Sequence, residues 1–256
     1  MQDFNTIRTA GTATRSAAVD EGLRAYMNKV YGLMAVGMLV TAGAAWGMAG
    51  LTLSEAPTQY ALGNGKFLTE IGASLYLSPL KWLVMFAPLV MVFAFGAALN
   101  RLSVQGATTL FYAFSAVMGI SISWIFAAYT SFSIVQTFLV TAIAFAGLSL
   151  WGYTTKRDLS GMGTFLMMGL IGLIVAMIVN LFLQSGVMQM AISAIGVLIF
   201  SGLTAYDTQK IKSTYLQLAN SDSNFLGKAA IMGALNLYLD FLNLFMFLLQ
   251  FMGNRE

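Results

Sequence analysis

The chain has 256 residues, of which 58% are hydrophobic and 9% charged, with a net charge of +3. A soluble domain carries about 25% charged residues, so this composition excludes a fold with a water-facing surface. So small a net charge also gives no electrostatic case for binding nucleic acid. The absence of cysteine and histidine excludes thiol nucleophiles, disulfides, Cys/His metal sites and Ser-His catalysis. Lipid is the solvent that suits such a chain.

The first 28 residues read as a polar cytoplasmic tail, too polar over about the first 25 to be a cleavable signal peptide. Residues 29–256 read as one transmembrane domain. A hydrocarbon core of about 30 Å needs roughly 20 apolar residues per helical crossing. Seven segments meet that test, at 30–50, 80–99, 106–129, 133–153, 162–183, 187–209 and 229–252. Backbone groups in lipid must be satisfied within the segment, so each span is helical. The first span serves as a signal anchor. The fold class is therefore all-α, an integral membrane bundle of seven transmembrane helices.

The loop 51–79 is the longest and holds Pro57, Asn64-Gly65 and Pro79. Its apolar stretch Phe67–Leu77 is too short to span and is expected to lie on the interface. Small residues recur every fourth position at Gly43 and Gly47, and at Ser115, Gly119 and Ser123. That spacing predicts close helix approach. Pro88 is expected to kink the second span. The linkers Thr130-Ser131-Phe132 and Gln184-Ser185-Gly186 force antiparallel hairpins of spans 3–4 and 5–6.

Lysine and arginine set orientation. With the N-terminus in the cytoplasm, 10 of the 13 basic residues fall on inner segments. Lys66, Lys81 and Arg255 fall outside. The N-terminus is thus expected inside and the C-terminus outside.

The chemistry-bearing residues are charges within apolar segments. An aspartate at mid-span costs about 2.5–3.5 kcal/mol on insertion scales. Asp207 sits in Tyr206-Asp207-Thr208-Gln209-Lys210, and Asp240 in Leu237-Tyr238-Leu239-Asp240-Phe241. Asn236, Asp240 and Asn243 share one helix face, which Phe247 and Gln250 continue. A polar stripe on that helix turns into protein, so the seventh span is expected at the bundle centre. A cytoplasmic loop joins spans 6 and 7, so the two aspartates can face each other and titrate as a unit. Arg101 ends the second span on the same membrane side and can serve either as a latch for the ionised pair or as a plain topological anchor. Depth poses a difficulty. Asp240 lies about 18 Å of helix beyond Lys228 and Asp207 only about 4–5 Å before Lys210. Equal depth requires the seventh helix to begin well inside the cytoplasm, or substantial tilt.

The segments Tyr206-Asp207-Thr208-Gln209-Lys210-Ile211 and Leu237-Tyr238-Leu239-Asp240-Phe241-Leu242-Asn243-Leu244-Phe245 closely resemble the last two helices of the Bax-inhibitor family of membrane proteins. Lys29-Val30-Tyr31 at the start of the first span adds to the likeness. The resemblance implies a bacterial inner-membrane member acting as a pH-sensitive calcium leak. It implies Asp207 and Asp240 as proton sensor and gate, and Arg101 as latch. Some members also carry a carboxylate within the second span; none occurs here between Lys81 and Asn100.

The expected partners are the lipid bilayer and calcium or other cations, with no cofactor. Two other functions compete. One is regulation of a membrane protein, such as a membrane-bound protease, by direct binding through the N-terminal tail. The other is intramembrane aspartyl proteolysis. The second aspartate of such proteases follows Gly-x-Gly, whereas Leu237-Tyr238-Leu239 precedes Asp240, so a non-enzymatic role is the reading adopted.

Overall fold

A computed structural model describes residues 3–62, 65–99, 101–219 and 222–254; the side chains of 1–18 lie outside the described residues, and with them most of the expected polar tail. The elements are α1 (Asp3–Thr52), β1 (Leu53–Ser54), β2 (Phe67–Leu68), α2 (Glu70–Tyr76), α3 (Leu80–Ala98), α4 (Val104–Ile122), α5 (Ile125–Ala128), α6 (Ser131–Thr154), α7 (Ser160–Leu183), α8 (Gly186–Leu218) and α9 (Ser223–Met252). Seven helical stretches are long and apolar enough to cross a membrane: 19–52 of α1, α3, α4 with α5, α6, α7, α8 and α9. The chain is an integral membrane protein of the expected seven-helix class.

The central helix is α9. It packs against α8, α1, α6 and α4, while α3 rests on α4 and α7 on α8. Lipid offers no hydrophobic force between helices, so contact quality decides their arrangement. At the junction of α1, α4 and α9, Tyr238 is fully buried. Its ring meets Phe111 and Phe114 edge-on at 5.6 and 5.7 Å. Its hydroxyl bonds Thr41 Oγ1 at 2.6 Å. Phe241 takes the edges of Phe138 and Phe145 from α6, each at 5.4 Å.

Small residues act where backbones touch. A Cβ at Gly119 would meet Thr41 O at 2.4 Å, and one at Gly152 would meet Ala205 O at 2.3 Å. The Ser115–Gly119–Ser123 face is thus a packing face, as its spacing predicts. Gly43 and Gly47 are not: nothing lies within 4 Å of either. The contact face of α1 is instead Thr41, Ala45 and Ala49, all buried. Both sets show fourfold spacing, so spacing alone could not choose between them.

Hydroxyls within the spans are satisfied locally. Thr41, Ser115, Thr141, Thr204 and Thr208 each donate to the carbonyl four residues back, which keeps a polar side chain from facing lipid unpaired.

Helix lengths differ from the sequence reading in one important way. Leu23, Tyr26 and Met27 are buried in the core, so helical packing begins before residue 30. The apolar part of loop 51–79 becomes β2 and α2, with Thr69 capping α2 through its hydroxyl. Gly72 there lies so close to Thr52 O that an added Cβ would stand 2.1 Å away. The span read as 106–129 breaks after Ile122, where Ser123 Oγ turns to Ile120 O and Tyr76 OH.

Candidate functional site

Asp207 and Asp240 meet between α8 and α9. Both side chains line the same cavity. Asp240 is buried and Asp207 half-buried. One oxygen of Asp240, Oδ2, is buried without a hydrogen-bond partner among the described residues.

The depth difficulty is resolved by the ends of both helices. α8 does not stop near Lys210 but runs to Leu218, 11 residues beyond Asp207. α9 begins at Ser223, 17 residues before Asp240. These stretches are about 16 and 25 Å of helix. Both helices therefore extend well past the pair on the same side.

The pair lines a cavity of about 610 Å³. Its polar wall is Tyr206, Asp207 and Lys210 of α8 with Asn236, Asp240 and Asn243 of α9. Its opposite wall is the apolar face of α7, from Met167 to Met177. Asn243 spends one amide proton on Leu239 O at 2.8 Å, so it points along its own helix rather than to Asp240. Lys210 is the cation in this wall, one turn from Asp207. Its Nζ lies 5.9 Å from the Tyr206 ring.

The residues around Asp207 hold α8 in place. Thr208 bonds Ser149 Oγ at 2.9 Å, and Ser149 in turn bonds the Tyr31 hydroxyl. Gln209 accepts from Leu159 N at 2.9 Å and donates to Arg157 O at 2.8 Å. Lys212 donates to Tyr153 O at 2.7 Å. The motif thus ties α8 to α1, α6 and the loop before α7 through Thr208, Gln209 and Lys212, while Tyr206, Asp207 and Lys210 line the cavity. In that loop, Asp158 accepts from the hydroxyl and backbone N–H of Ser160, which hold its carboxyl below the usual range.

Arg101 is not brought to the pair. It is exposed, with its backbone N–H on Ala98 O at 2.9 Å. Leu99, two residues earlier, reaches a neighbouring cavity of about 530 Å³ that shares Lys210 and Asn236 with the first. Sequence reasoning missed α7 as a wall of the site. It also missed Asn180 and Gln189, which join Gln250 in a polar cluster. An amide inside Ile178-Val179-Asn180-Leu181 was the available signal.

The site is thus a pair of aspartates lining one cavity of a seven-helix bundle. The family model described as "Inhibitor of apoptosis-promoting Bax1" matches residues 23–256, and the chain belongs to that Bax-inhibitor family. It is 46% identical to the inner membrane protein YbhL of Escherichia coli K12, covering 92% of this chain and 94% of that one. It is also 43% identical to a Caulobacter vibrioides protein over the whole of both chains. A Rickettsia prowazekii protein is 42% identical, covering 97% and 98%.

Proposed function

We propose that this protein is a cation leak of a bacterial inner membrane whose conduction follows the shared protonation of Asp207 and Asp240. The observation that carries the reading is the carboxyl pair on a cavity of about 610 Å³, with one oxygen of Asp240 buried and unpaired. A buried carboxylate oxygen without a donor calls for a proton, water or cation. The titratable groups of that cavity are Tyr206, Asp207, Lys210 and Asp240; its α7 wall carries none.

Calcium takes six to eight oxygen ligands. Among the described residues, no cluster of three or more acidic side chains converges. Two carboxyls with two asparagine side chains suit a partly hydrated ion in transit better than a resident one. The charge bias supports a cytoplasmic N-terminus and an outer C-terminus. Lys210, in the cavity wall, takes the counter-charge role that the family likeness assigns to Arg101.

The test is calcium flux into liposomes containing the purified protein, measured across pH. Asp207→Asn and Asp240→Asn should each remove the pH dependence. Flux and pH profile unchanged in both variants would sink the proposal.

A further inference from the structure

We propose that cations cross this protein along the seam between α7 and α9, from the carboxyl cavity past the ring of Phe247 to a second, amide-lined cavity. The inference rests on the leak reading above and assigns its route.

The second cavity measures about 510 Å³ and lies at the other end of the same helices. Asn180, Gln184, Gln189 and Gln250 line it, and Met177 borders both cavities. The amides form a chain across three helices. Asn180 Nδ2 donates to Gln189 Oε1 at 3.1 Å, and Gln189 Nε2 to Gln250 Oε1 at 2.6 Å. Ser193 Oγ also donates to Gln250 Oε1, at 3.4 Å. The chain helps lock the α7–α8 turn, where Asn180 Oδ1 accepts from Ser185 N. That turn accounts for Asn180 but leaves Gln250, on another helix, unexplained. The side-chain oxygens of Asn180 and Gln189 each accept one of these bonds and keep a second lone pair; neutral carbonyl oxygens replace a cation's hydration without trapping it.

The two cavities fall on one stripe. On α9, Asn236, Asp240, Asn243 and Gln250 share a face, and from Asp240 to Gln250 is about 15 Å of helix. Phe247 is the apolar member of that row. Its ring stacks on Phe200 at 5.7 Å. It also covers Gly196 so closely that a Cβ there would stand 2.6 Å from the ring. Glycine at 196 lets the ring lie back on α8. Phe247 lines the carboxyl cavity and Met177 borders both; an apolar stretch between two polar chambers makes a constriction that closes by dewetting.

The chain has no cysteine, so single thiols report without background. Met177→Cys lies on the route, and Ile178→Cys, 55% exposed and absent from both cavity walls, is the control. A cationic, membrane-impermeant methanethiosulfonate needs a water-exposed thiolate. It should label position 177 at least tenfold faster than 178. Complete labelling at 177 should cut calcium flux at least fivefold, and labelling at 178 should leave flux intact. Gln250→Cys should behave as position 177 does. Phe247→Ala should raise flux about tenfold at fixed pH.

Equal labelling at 177 and 178, or full flux after complete labelling at both 177 and 250, overturns the route. If flux then still depends on Asp207 and Asp240, the leak reading survives and only the route is lost. If the unmodified protein carries no flux at any pH, the leak reading fails and the route with it.

Discussion

The helices α7 and α9 are both membrane spans, yet they are built on opposite plans. α7 has the highest mean hydropathy of the seven spans, and only 17% of its most apolar 18-residue window is buried. α9 is less apolar, and 67% of its window is buried. In water this relation would be reversed. In lipid the apolar helix can face the solvent, and the helix with polar groups must be covered. The cavity they share with α8 joins the two plans, with Asp240 and two asparagines from α9, Asp207 from α8, and methionine, leucine and isoleucine from α7.

If the central helices depend on contact and the peripheral ones on solvent, substitutions should separate them. The largest effect is expected from paired glycines. Gly152→Leu drives a side chain into the Ala205 backbone and should cost more than about 4 kcal/mol, seen as loss of folded protein on size-exclusion in detergent. Gly172→Leu, with nothing within 4 Å, should purify and melt like the parent. Equal behaviour of the two would break the comparison.

Next is side-chain truncation. Leu237 is fully buried in α9, whereas Ile171 of α7 is 62% exposed. Buried Leu→Ala changes cost about 2–5 kcal/mol in water-soluble cores. In a bilayer the transfer part is lost and the packing part remains, so Leu237→Ala should cost about 2 kcal/mol. Ile171→Ala should cost less than about 0.5 kcal/mol. Reversible unfolding in mixed micelles measures both. The smallest effect is expected at Thr41→Val, which keeps the shape but removes the bond to Tyr238. Interhelical hydrogen bonds in membranes average about 0.6 kcal/mol. A cost above about 2 kcal/mol would show that the α1–α4–α9 junction rests on that bond rather than on the aromatic contacts around it.

Several features of the site were legible in the residue order. Charged groups are expensive in lipid, so Asp207 and Asp240 stood out against their surroundings. The Asn236–Asp240–Asn243 periodicity identified α9 as inward-facing. The amide chain was harder to see because its members, Asn180, Gln189 and Gln250, are far apart in sequence and lie on three helices. Arg101 illustrates the reverse case. A cation at a span end suits both a latch and an anchor, and only the structure shows that Arg101 is exposed and outside the cavity lining.

The seven spans and the two aspartates within them were legible in the sequence itself, because each depends on a local cost: the length needed to cross lipid, or a charge placed within it. Tertiary structure decided which glycines touch backbone, that α8 and α9 run far enough past Asp207 and Asp240 for both to line one cavity, and that Lys210 rather than Arg101 shares it. Those outcomes depend on how far each helix is offset and rotated against its neighbour. Periodicity fixes a face along one helix but says nothing of the register between two.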